Sequence, residues 1–116
     1  MRTLITVVFL TLAIGVYGED SIDLKKDVYP ILKQNCYKCH FDKKSKGGFS
    51  FNTKESILKG GKDNKEKDVI PGNSKDSIMI KLILSKDSDE YMPPKGPRLS
   101  DAEVATLKKW IDLKLP

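Results

Sequence analysis

Cys36-Tyr37-Lys38-Cys39-His40 decides how this chain is read, because it gathers both cysteines and the only histidine of its 116 residues. Side chains three positions apart on a helical turn project from the same side. Two thiols at this spacing therefore reach along one edge of a flat ligand, and His40 is carried beneath it with an imidazole nitrogen able to bind a metal. C-x-x-C-H is the pattern of c-type haem attachment. In that reading Cys36 and Cys39 form thioethers to the vinyl groups of a single covalent haem c, and His40 is an axial ligand of its iron. Three other readings are weaker. A disulfide leaves the neighbouring histidine without a role, and a thioredoxin-like redox pair belongs beside a βαβ pattern that is not present. A structural zinc site takes four ligands, whereas three stand here without a second cluster.

Haem iron has a second axial position. With His40 used, the search falls on Met, Lys and Tyr. Met79 lies in Ser77-Ile78-Met79-Ile80, an apolar run of helical character, where a thioether is an ordinary core filler. Met92 lies in Glu90-Tyr91-Met92-Pro93-Pro94-Lys95-Gly96, where two prolines fix φ and donate no N–H. A stiff loop presenting one soft sulfur suits a ligand that must hold its place. Met92 is accordingly favoured as the second metal ligand over Met79 or an open position. His/Met ligation closes both faces of the iron and raises its potential, which describes a one-electron carrier with no catalytic residue. An open position describes a sensor or enzyme for peroxide, oxygen or another small gas. The peroxidase version lacks a spare histidine, and Arg98 is the only arginine after residue 18. A metal-bound histidine also needs an acceptor for its other ring N–H. The backbone of Val69-Ile70-Pro71-Gly72-Asn73 is one candidate, unless Pro71-Gly72 is simply a turn.

Upstream, one positive charge in Met1-Arg2-Thr3 precedes an apolar run from Leu4 to Val16, and Val16-Tyr17-Gly18 ends it with small residues. This fits a secretory signal at 1–18, cleaved after Gly18, more closely than a membrane span. An uncleaved N-terminal anchor is the competing reading. Residues 19–116 then form one exported, periplasmic domain, with no membrane span in the mature chain. Loss of 1–18 removes Arg2 and no acid, so the net charge falls from +5 to +4. That balance, with Asp42, Asp63, Glu66 and Asp68 among the lysines, is too mild for a nucleic-acid binder. Lys43, Lys44 and Lys46 with Lys62, Lys65 and Lys67 form either a docking face for an acidic redox partner or a plain solvated surface.

The rest of the sequence reads as all-α. A first helix runs from about Leu24 to the haem motif, with Val28, Ile31 and Leu32 on its buried side, Tyr29 a further candidate there, and Pro30 delaying or bending it. A short helix starts at Asn52 and ends at Gly60-Gly61. Another spans residues 74–84, opened by Asn73 and Asp76, with Ile78, Leu82 and Ile83 as its stripe. The last opens on the capping box Ser100-Asp101-Ala102-Glu103 and buries Val104, Leu107 and Ile111 beside Trp110. Residues 59–68 read as an exposed loop, and Phe49-Ser50-Phe51 as a short extended piece. The first and last helices are expected to pack together, with Trp110 and Phe49 as core residues or pocket lining.

Taken in order, several of these pieces make the chain resemble the planctomycete-type cytochrome c domain. They are Asp27-Val28-Tyr29-Pro30-Ile31-Leu32 before the CYKCH motif, then Lys46-Gly47-Gly48-Phe49, Leu58-Lys59-Gly60-Gly61, Val69-Ile70-Pro71-Gly72-Asn73, Tyr91-Met92-Pro93-Pro94-Lys95-Gly96 and Leu99-Ser100-Asp101-Ala102-Glu103. The resemblance runs from about residue 23 to 113. It implies a class I-like cytochrome c fold, three to four helices and loops wrapped around one covalent haem. It also implies attachment through Cys36 and Cys39 and axial ligation by His40 and Met92. Such domains often open longer chains, whereas this sequence ends at Pro116. The expectation is a redox partner protein met by diffusion.

Overall fold

Asp23 sets the first helical segment, since its carboxylate accepts the N–H groups of Lys25 and Lys26 at 2.9 and 3.1 Å. The computed structural model describes residues 21–116 together with Thr3, Thr6 and Val8. The expected export signal and its cleavage point lie outside the described residues. A wide turn over Leu24–Val28 closes with the Tyr29 N–H on the Leu24 carbonyl. Helix α1 (Tyr29–Asn35) follows with Pro30 in its first turn, where a missing N–H leaves no bond unmade. The late start expected from Pro30 is what the chain shows. Val28, Ile31 and Leu32 fill the buried stripe, leaving Tyr29 at its margin and 41% exposed. The haem-type motif forms its own short helix, α2 (Tyr37–His40), after a break at Cys36.

Helix α3 (Lys54–Lys59) starts at Thr53, not Asn52: Thr53 and Ser56 exchange side-chain and backbone bonds as a capping box. The Asn52 side chain is engaged elsewhere, accepting from the Asp42 N–H at 2.6 Å and the Ser50 hydroxyl at 2.8 Å. The 59–68 segment is less open than its lysines imply. It holds a single 3-10 turn at Lys65–Lys67, and Asp68 is buried, accepting the Gly61 N–H at 2.7 Å.

Helix α4 (Ile78–Leu84) begins four residues later than the sequence pattern predicts. Asn73 and Asp76 close a separate turn, with the Asp76 N–H on Asn73 Oδ1 at 3.1 Å. The buried Ser77 hydroxyl accepts the Ile70 N–H and donates to the Asn73 carbonyl, both at 2.8 Å. The buried face is consequently Met79, Ile80 and Ile83, and Ile78 and Leu82 are only partly covered. Helix α5 (Asp101–Asp112) carries the predicted box, Ser100 and Glu103 serving each other, and buries Val104, Leu107, Trp110 and Ile111.

These faces share one core with Phe49 and Phe51. The ends of α1 and α5 are joined by Asn35 Nδ2 donating to Glu103 Oε2 at 3.4 Å. At the far end of α5, Asp112 accepts the Ser74 N–H and hydroxyl at 2.8 and 2.9 Å. Strand is confined, among the described residues, to the antiparallel pairs His40–Ser45 and Phe41–Lys44. The described chain is thus helix-rich, in keeping with a cytochrome c-like all-α fold.

Candidate functional site

The α2 turn is built by backbone bonds from Cys39 and His40 to the Cys36 carbonyl, at 3.2 and 3.0 Å. Cys36 and Cys39 therefore flank one turn, as their spacing predicts. Both are free thiols, each partly exposed, so neither is consumed in a disulfide or sealed in the core. Burial against the core pushes the Cys36 thiol up from 9.0 to about 12, and the nearby Cys39 and Glu103 add to the shift. The folded haem-free chain thus holds the Cys36 proton at pH values where an unfolded cysteine releases it. Its stability falls as pH rises through that interval, because only the unfolded state ionises freely. At pH 8, iodoacetamide should alkylate Cys36 of the folded haem-free protein at least about tenfold more slowly than in urea, since the thiolate is the nucleophile. Peptide mass spectrometry reads the result, and equal rates would contradict the burial.

His40 is held by a different partner from the one expected. Its Nδ1 lies 3.0 Å from the Phe49 carbonyl oxygen, not against the 69–73 loop. Carbonyls of that loop serve other donors: Ile70 accepts the Asn73 N–H and Asn73 the Ser77 hydroxyl, at 2.9 and 2.8 Å. A carbonyl can only accept, so Nδ1 carries a proton, and in the neutral ring Nε2 keeps its lone pair. This is the tautomer a metal-binding imidazole needs. The chain returns to His40 through the turn at 44–48, and the Phe51 N–H bonds to the His40 carbonyl at 2.8 Å. Phe49 and Phe51 meet the imidazole edge-on, with ring centroids at 5.5 and 6.3 Å. Tyr37 stacks on Phe41 at 4.3 Å on the same short segment.

The two methionines part company. Met79 is 8% exposed and belongs to the core, whereas Met92 is 37% exposed. The Met92 N–H bonds to the Leu82 carbonyl at 3.1 Å, which ties its loop to the end of α4. Phe49 and Trp110 are both core residues, and the Trp110 Nε1 is buried without an acceptor. Among the described residues no three His, Cys, Asp or Glu side chains lie close enough to hold one metal ion.

The model of one protein family, planctomycete cytochrome C, matches residues 36–96, from the first cysteine of the motif to the end of the Met92 loop. The chain belongs to the planctomycete cytochrome C family. No curated protein and no solved structure matches it. As a cytochrome c-type domain it falls among the haem c-binding proteins, which are in general electron-transfer proteins. The donor set of this cytochrome fits that cofactor: two unbonded thiols on one turn, and an imidazole with Nε2 available. No helix among the described residues is long and apolar enough to cross a membrane.

Two features of the site leave little mark in the sequence. The acceptor for His40 is a backbone carbonyl, which every residue carries. The signal that was present is the glycine pair Gly47-Gly48, which turns the chain back towards His40. The second feature is Arg98, whose guanidinium donates to the Ile83 and Ser85 carbonyls at 2.8 and 2.6 Å and lies 4.6 Å over the Tyr91 ring. Its spacing from Tyr91 and from α4 gives no periodic signal.

Proposed function

We propose that this cytochrome is an exported, periplasmic one-electron carrier with one haem c, attached through Cys36 and Cys39 and ligated by His40 and Met92. The observation that carries the reading is the His40 Nδ1 bond to the Phe49 carbonyl. It fixes the ring in the tautomer that leaves Nε2 as a donor and limits rotation of the imidazole. The haem, when bound, supplies an iron that alternates between two oxidation states. The chain's part is to hold that iron in one geometry in both states. Met92 is favoured over Met79 because Met79 is spent on the core, while Met92 stands out from a proline-stiffened loop. The overall arrangement is then a class I-like cytochrome c fold, with α1 and α5 packed at one end and the Met92 loop closing the second face. Export after Gly18 rests on the apolar run of residues 4–16.

The redox partner is proposed to be an acidic protein. The two lysine groups read from the sequence are brought side by side by the Lys62 N–H bond to the Gly47 carbonyl at 2.8 Å. Lys43, Lys44, Lys46, Lys62, Lys65 and Lys67 are all exposed.

The competing reading, a gas or peroxide sensor or enzyme, needs a free or displaceable sixth position. Optical spectra of the holoprotein, matured with haem-attachment machinery, separate the two. The ferrous spectrum should be low-spin and unchanged by carbon monoxide. Met92→Ala should abolish the weak far-red sulfur–iron(III) charge-transfer band and admit the gas. Rapid carbon monoxide binding to the unaltered protein would favour the sensor, and loss of the band in Met79→Ala instead would reassign the ligand.

A further inference from the structure

The carbonyls at the end of a helix have no partners within it. At the end of α4 they are met by the segment that carries Met92. The Leu82 carbonyl receives the Met92 N–H at 3.1 Å and the Ser85 N–H at 3.3 Å. The Ile83 and Ser85 carbonyls receive one and the same nitrogen of Arg98, at 2.8 and 2.6 Å. The guanidinium carbon also lies over the ring of Tyr91, the residue before Met92, at 4.6 Å from its centroid. One side chain therefore grips both the helix end and the foot of the loop. Its positive charge sits where the α4 dipole is negative, and its hydrogen bonds are charge-assisted.

We propose that Arg98 is the positioning residue for Met92: by bridging the α4 terminus and Tyr91, it holds the thioether in ligating position. The proposal rests on the reading of Met92 as the second iron ligand. Met92 itself is not locked into the core, being 37% exposed. Pro93, Pro94 and Pro97 stiffen the segment, but a stiff loop still pivots as a body about its feet. Arg98 and the Met92 N–H fix those two feet to adjacent carbonyls of one helix. The lysine ammonium sits one bond nearer the backbone than the Arg98 nitrogen that makes both carbonyl bonds, and it has no guanidinium group to place over the ring. The arginine is thus not replaceable by charge alone.

The test compares holoproteins carrying Arg98→Lys, Tyr91→Leu and Met92→Ala with the unaltered protein. Haem attachment is checked by mass, and folding by far-UV circular dichroism. Arg98→Lys should keep its covalent haem and helical spectrum at 25 °C. The fraction of ferrous protein open to ligand should rise about tenfold or more, so that carbon monoxide, which leaves the unaltered spectrum unchanged, now alters it. On heating, the far-red band of Arg98→Lys should vanish well below the temperature at which its helices melt, whereas in the unaltered protein the two losses are closer together. Tyr91→Leu, which spares both carbonyl bonds, should move both readouts the same way by a smaller factor, and it carries the test if Arg98→Lys fails to accumulate. A merely structural arginine would lower the helix melt and the band loss together and leave carbon monoxide binding unchanged. That result, with the band lost in Met92→Ala, overturns the proposal and leaves Met92 as ligand. Retention of the band in Met92→Ala overturns the ligand assignment and the Arg98 proposal with it.

Discussion

Replacing Cys36 and Cys39 together by serine should yield a protein whose mass, after co-expression with haem-attachment machinery, is that of its polypeptide alone. The unaltered chain should carry the added mass of one haem. The argument is chemical before it is structural. A thioether needs sulfur, and these are the only two sulfhydryls in the chain. Serine nearly reproduces the shape of cysteine. Cys36 packs against the core and Cys39 is partly exposed, and neither is in a disulfide, so the exchange should cost the polypeptide about 1 kcal/mol, the usual size for a single conservative change. What is lost is the cofactor. A ligand that binds the folded state alone stabilises it by mass action, so the serine variant should also melt below the holoprotein. Each single variant keeps one possible thioether and should fall between. A haem-bearing mass in the double serine variant would remove the foundation of the proposed function.

The second large effect concerns a glycine outside the motif. Gly60 ends α3 with φ 72° and ψ −172°, a region that residues with a side chain rarely enter. A Cβ at this position would lie 1.6 Å from the Lys65 carbonyl oxygen and 2.4 Å from its carbonyl carbon. Both are backbone atoms, so no side chain can turn aside to make room. Shifting Lys65 disturbs the turn that it anchors, because the Lys65 N–H bonds to the Gly61 carbonyl at 3.0 Å and the Asp68 N–H to the Lys65 carbonyl at 3.1 Å. Asp68 in turn holds Gly61 through its carboxylate and the Met79 N–H through its carbonyl, at 2.7 and 2.9 Å. The disturbance therefore reaches the start of α4. Gly60→Ala should cost about 3 kcal/mol or more, which for a domain of this size lowers the melting temperature by roughly 10–20 °C. Gly47→Ala is the internal comparison. Its φ is also positive, at 65°, but no atom lies within 4 Å of the added carbon, so its cost should stay near 1 kcal/mol. Equal destabilisation of the two variants in thermal melts of the holoprotein would show that the Lys65 contact is not what excludes a side chain.

The features legible in the sequence are those set by residues close together along the chain. The thiol spacing of Cys36 and Cys39 and the adjacent His40 need only one helical turn. The box formed by Ser100 and Glu103, and the late start of α1 at Pro30, are likewise local, and each is present in the structure. Where distant residues competed for a group, local reading gave the wrong partner. Asn52 is a good cap by type, yet Asp42 and Ser50 occupy its side chain, and the start of α3 passes to Thr53. Asn73 and Asp76 pair with each other, which delays α4 and turns Met79 and Ile80 inward in place of Ile78 and Leu82.

The sequence by itself determined the C-x-x-C-H turn, the helical character of the chain and its family. Each depends on side-chain type at fixed short spacing. Only the tertiary structure decided which carbonyl holds His40, which methionine is spent on the core, that Asp68 is buried, and that Arg98 closes the end of α4. Those outcomes depend on which backbone groups are left without partners once the helices have packed, and a backbone group carries no residue-specific mark in the sequence.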